Sequence, residues 1–178
     1  MDLAGRAAEN RGMCLVRLSF LAALLLATAA GAQQRAPVAS PSRDTATFTV
    51  TASNVAVGRV AQECLALVGR GESPQEFVQQ WRQRNARFVF ASAKYMDLRL
   101  EEAAATGGPE RRDAVLNELR QAVQGGGDAL ARSLLQRGAR KEEACMNAIT
   151  LLDTGALDIS AKLPTYSDIE ALVRWAEQ

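Results

Sequence analysis

Histidine is absent from the 178-residue chain. With it go the commonest general base, the usual imidazole metal ligand and the usual haem axial ligand. An excess of one charge is lacking too: 21 basic and 20 acidic residues leave a formal net charge of +1. Domains that bind nucleic acid by bulk electrostatics are strongly basic, so no nucleic-acid partner is expected. Cysteine is scarce, at three residues, and no C-x-x-C pair is present to tune a redox thiolate. No glycine-rich loop carries the lysine of a phosphate-binding motif, and no acidic loop has calcium-binding spacing. No cofactor and no metal are therefore expected. The longest apolar run is LSFLAALLLATAA, residues 18–30. Its 13 residues fall short of the roughly 20 that a helix needs to span a bilayer.

That run has another use. Arg6, Arg11 and Arg17 precede it, and Ala30-Gly31-Ala32 closes it before Gln33. A basic region, a short apolar region and an A-x-A site predict a secretory signal, residues 1–32, cleaved on export. Cys14 lies before the apolar run, not directly after it, so it cannot carry a lipid there and leaves with the signal. The mature chain of 146 residues would hold 18 residues of each charge, two cysteines and no stable membrane span. In an oxidising compartment an even pair of cysteines reads as a disulfide, here Cys64 to Cys145. Two buried free thiols acting as small hydrophobes are the alternative. An alanine- and arginine-rich chain with an export signal fits a bacterial periplasm, with secretion as the other destination.

Composition and periodicity divide the rest. Residues 33–45, QQRAPVASPSRDT, carry two prolines and almost no bulky apolar side chain, which predicts a disordered leader. Residues 46–178 read as one mainly helical domain. TATFTVTAS alternates polar and apolar residues and suggests a short strand over 47–51. From Asn54 the apolar spacing becomes three and four, through Val57, Val60, Ala61 and Cys64, and predicts a helix ending at Gly69-Arg70-Gly71. Ser73-Pro74-Gln75-Glu76 is a capping box with proline at the first helical position. No glycine or proline follows until Gly107, so one long helix over about 74–106 is expected to form the spine of a small bundle. Gly107-Gly108-Pro109 predicts a turn, and Gly125-Gly126-Gly127 a helix stop.

Past that stop, positions 134, 138, 141, 145, 148, 149 and 152 keep one phase, so Gly138 marks either a close approach within one helix or a kink between two. Gly155 is placed to cap it. ALDISAKL, residues 156–163, alternates again, which leaves room for a minor two-stranded β element with 47–51. Ser167-Asp168-Ile169-Glu170 repeats the capping box and starts a last helix.

Candidate sites are few. Phe77, Trp81, Phe88, Phe90 and Tyr95 crowd into 19 residues, yet Phe88 and Phe90 lie about 200° apart around a helix axis. Either the helix is covered on several sides, or Trp81, Phe88, Phe90 and Tyr95 contribute to an apolar partner surface. The function expected from these features is that of a small exported helical protein, non-catalytic, binding a protein or cell-envelope component through a helical face. A carboxylate-dependent enzyme cleaving cell-wall glycan is one alternative. It requires two acids across a cleft, drawn from Glu72, Asp97, Glu101 and Glu102. A small-ligand carrier is the other, and it requires an apolar cavity beside Trp81 and Phe88.

Overall fold

The computed structural model describes residues 39–178. The expected signal, residues 1–32, and residues 33–38 of the expected leader lie outside the described residues. Five helices follow in order: α1 (Pro41–Cys64), α2 (Pro74–Arg84), α3 (Ala86–Leu135), α4 (Lys141–Asp153) and α5 (Tyr166–Ala176). The fold is mainly α, packed around the long α3, and α1 and α3 each touch all the other helices. Among the described residues there is no strand.

Both segments expected to pair as strands do something else. TATFTVTAS lies inside α1, which starts at Pro41, so residues 41–45 form its first turn. The hydroxyls that suggested a strand are absorbed by the helix. Thr49 donates to the Thr45 carbonyl at 2.9 Å, Thr51 to that of Thr47 at 2.7 Å and Ser53 to that of Thr49 at 2.8 Å. The core face is carried by small residues: Ala46, Val50, Ala56, Val57, Val60, Ala61 and Cys64 are all buried at helical spacing. Residues 156–163 have no strand partner and run as turns. Their backbone is satisfied by side chains: Ile159 N–H donates to Asn85 Oδ1 at 2.8 Å, and the Leu157 carbonyl accepts from Trp81 Nε1 at 3.4 Å.

Asn85 also corrects the expected 74–106 helix. The capping box forms as read, with the Ser73 hydroxyl accepting from Glu76 N at 3.2 Å and Ser73 N donating to Glu76 Oε2 at 2.8 Å. The helix it starts ends at Arg84, because Asn85 leaves helical geometry (φ −106°, ψ 22°). Asn85 is fully buried, and its amide nitrogen donates to the Trp81 carbonyl at 2.9 Å and to Asp158 Oδ1 at 3.2 Å. Arg84 joins the same carboxylate at 2.9 Å and the Leu152 carbonyl at 2.8 Å. The break between α2 and α3 is thereby latched to the 156–163 segment.

α3 is a hairpin of two arms, residues 86–106 and 109–135. The turn is Gly107-Gly108, where Gly108 takes φ 69°, a left-handed conformation that glycine adopts without a Cβ clash. The expected stop at Gly125-Gly126-Gly127 is instead helical. A Cβ on Gly126 would lie 2.4 Å from Phe48 Cζ, and one on Gly127 2.5 Å from Val55 Cβ. The glycines let the second arm press against α1. Gly138 sits in the turn between α3 and α4, against the backbone of Ala144, so the two are separate helices. Gly155 caps α4 as expected, its N–H donating to the Leu152 carbonyl at 3.2 Å. α5 starts one residue before the expected box, which does not form. Glu170 instead accepts from Tyr166 Oη at 2.5 Å and pairs with Arg87.

Candidate functional site

Cys64 closes α1 and Cys145 lies in the second turn of α4, both on the apolar stripes read from spacing. Each is completely buried, their Cα atoms are 5.1 Å apart, and they form a disulfide. Three ion pairs lie around the junction: Lys141 with Glu63 at 3.8 Å, and Arg70 with both Glu72 at 2.5 Å and Asp153 at 2.6 Å. Hydrogen bonding from Arg70 holds the Glu72 carboxyl below the usual carboxylate range. The bridge therefore ties the end of α1 to α4.

The four aromatic candidates separate sharply. Trp81, Phe88 and Tyr95 are buried, although Tyr95 also lines the smaller of the arm clefts described below, whereas Phe90 is 64% exposed. Phe88 and Tyr95 are covered by α5, and Tyr95 also by the leading turn of α1. Phe88 meets Tyr166 edge-on at 6.2 Å, and Tyr95 meets Trp175 edge-on at 5.6 Å. Tyr95 Oη donates to Asp44 Oδ1 at 2.7 Å and accepts from Ser40 N at 3.1 Å. Burial and then the Asp44 hydrogen bond push its phenol above the ordinary value. Arg43 lies over both the Tyr95 and the Trp175 rings, at 5.8 and 5.1 Å.

No two of the carboxylate candidates line one of the clefts described below. Glu72 is held by Arg70, and of Glu72, Asp97, Glu101 and Glu102 only Asp97 lines one of the clefts described below. Among the described residues no three acidic or cysteine side chains cluster to hold a metal ion, and no helix is long and apolar enough to cross a membrane.

Three clefts were not anticipated, and none is lined by Trp81 or Phe88. Two flank the second arm of α3 where it stands against α1 and the first arm. The larger, about 410 Å³, runs between Val55, Met96, Leu100, Leu116, Leu119 and Val123, with Asp97 and Arg120 also in its wall. The smaller, about 250 Å³, shares Thr51, Met96, Leu119 and Val123 with it and opens toward Phe48, Asp44, Arg99 and Glu118. Asp44 is engaged there by Tyr95 and, at 3.6 Å, by Arg99. The sequence signal for these crevices is a thin apolar stripe bounded by Gly107-Gly108 and Gly125-Gly126-Gly127. Such an arm can fold back, but it lacks the side chains to fill the space beneath it. The third cleft lies between α1, the end of α3 and the 156–163 segment.

Compared with family models, with curated proteins and with solved structures, the chain matches none.

Proposed function

We propose that this chain is an exported, non-catalytic binding protein, periplasmic or secreted, that holds a protein or cell-envelope component against a helical face. The observation that supports this most is the pair of apolar crevices along the second arm of α3. Leu100, Leu116, Leu119 and Val123 are half-buried there, and ordinary core packing would have filled that space. An apolar surface that remains accessible on a rigid, disulfide-tied frame suits association more than bond cleavage. The glycan-cleaving alternative loses ground because no two of its carboxylates line one of these clefts. The carrier alternative, as framed by Trp81 and Phe88, loses ground because neither residue lines these clefts. Export accords with the buried Cys64–Cys145 bridge and with the basic–apolar–A-x-A pattern of the first 32 residues.

Cell fractionation with intact-mass measurement tests the compartment. The expected species starts at Gln33 and has no reactive thiol until reduced. A photo-crosslinker at Leu119 in intact cells then tests the face, with Glu177 as the control position. A discrete adduct from Leu119 alone is expected. A cytoplasmic species with two free thiols would overturn the proposal.

A further inference from the structure

The third cleft has a chemical character different from the arm crevices. Its walls are Val57 of α1, Leu130 and Leu134 of α3, and Leu157, Ile159 and Leu163 of the turn segment. Two charged residues line it. Asp158 is already committed, to Arg84 at 2.9 Å and to the Asn85 amide at 3.2 Å. Lys162 is not: it is exposed and, among the described residues, has no ion pair or hydrogen bond. The lining therefore combines apolar walls with one lysine that has no ion pair among the described residues. Ser160 adds a half-buried hydroxyl beside it.

Size narrows the occupant. The volume is about 140 Å³. An engineered apolar cavity of about 150 Å³ in another protein takes up benzene, so the apolar part of a ligand here is about six carbons. A membrane lipid's acyl chain exceeds that. We propose that this cleft binds a small amphiphilic monoanion, a carboxylate bearing one short alkyl chain or a single ring. The hydrocarbon would lie against Val57, Leu134, Ile159 and Leu163, and the carboxylate would face Lys162. An apolar side chain from a partner protein would use the walls but not the lysine. Removing about six carbons from water drives entry, and the ammonium selects the anion.

The test uses the purified, oxidised chain and two probes of equal apolar size, hexanoate and 1-hexanol, followed by amide NMR. Hexanoate is expected to shift resonances of residues 156–163 and of Leu130 and Leu134, and to bind more tightly than the alcohol. Lys162→Met is expected to weaken hexanoate by about three- to fivefold, the scale of an exposed ion pair, and to leave hexanol unchanged. Lys162 is exposed, so the variant should melt with the parent. Ile159→Trp, checked by melting, should fill the cleft and abolish both titrations. Equal binding of the two probes without dependence on Lys162 overturns the anionic ligand and leaves an apolar pocket for a partner's side chain. Shifts centred on Met96 and Leu119 overturn the placement, and no shift at saturating probe overturns the site. None of these outcomes depends on compartment or on partner capture, so this inference and the proposed function fail separately.

Discussion

Gly127 and Val55 touch where α3 crosses α1: a Cβ on the glycine would sit 2.5 Å from the valine Cβ and 3.0 Å from the Ala52 carbonyl oxygen. No side chain fits that gap without moving backbone. Two positions earlier, a Cβ on Gly125 would meet nothing within 4 Å. The two glycines therefore predict opposite responses to alanine. Gly125→Ala should raise stability by about 0.5–1 kcal/mol, through helix propensity alone. Gly127→Ala should lower it by about 1–3 kcal/mol, because overpacking outweighs that gain. Urea unfolding of both variants decides the matter. Equal and opposite signs to these would mean that α3 does not press on α1 at Gly127.

Asn85 ends α2 and satisfies the Ile159 N–H from 74 positions away. Asn85→Ala should cost about 1–3 kcal/mol, the penalty for leaving a buried donor unpaired. Proteolysis near 156–163 should quicken in the same variant. An unchanged cleavage rate there would show that the latch does not hold the segment.

The Cys64–Cys145 bridge closes a separation of 81 positions. Its removal by paired alanine substitution should cost about 2–5 kcal/mol. The loss should appear as a lower urea midpoint, and reductant should no longer shift the midpoint of the double variant. A parent protein indifferent to reductant would contradict the bridge.

Phe88 and Phe90, two residues apart, should behave oppositely. Phe88→Ala removes a buried ring and should cost about 3–5 kcal/mol. Phe90→Ser changes an exposed ring and should stay within about 0.5 kcal/mol of the parent. A large loss from Phe90→Ser would mean that a second copy or another chain covers that face.

Glu76 and Tyr95 should contribute at opposite ends of the pH range. The Ser73 backbone N–H, then its hydroxyl, lower the Glu76 value. The stability this confers is present above the usual carboxylate value of about 4.3 and is lost as pH falls through the lowered one. Tyr95 is raised, by burial and then by Asp44. Its contribution is present below about 10, the ordinary phenol value, and is lost as pH rises through the raised one. Unfolding midpoints across pH should therefore show a shallower acid limb in Glu76→Gln and a shallower alkaline limb in Tyr95→Phe. Slopes parallel to the parent would refute both.

What could be read in advance follows the range of the interaction. The Ser73–Glu76 box lies within four residues, and Gly155 needs only the helix it caps. Both are visible as written. The cysteine faces were visible because spacing of three and four reports which side of a helix is buried. Asn85 looked like an ordinary helical position, since its reasons for leaving the helix, Asp158 and Ile159, lie on another segment. Gly125-Gly126-Gly127 looked like a stop because nothing local announces Phe48 and Val55. TATFTVTAS misled through its threonines, whose hydroxyls serve a helix as readily as alternation serves a strand. The Lys162 cleft was invisible for a related reason: nothing local to residues 156–163 announces Val57, Leu130 and Leu134 as its other walls.

The bridge between residues 64 and 145 encloses α2, both arms of α3 and the glycine turn at their tip. A peptidase that cut once at that tip would open the ring without releasing a piece. The two halves would travel as one particle under oxidising conditions and separate only in the presence of thiol. Nicked molecules would thus be indistinguishable by size from whole ones until reduced.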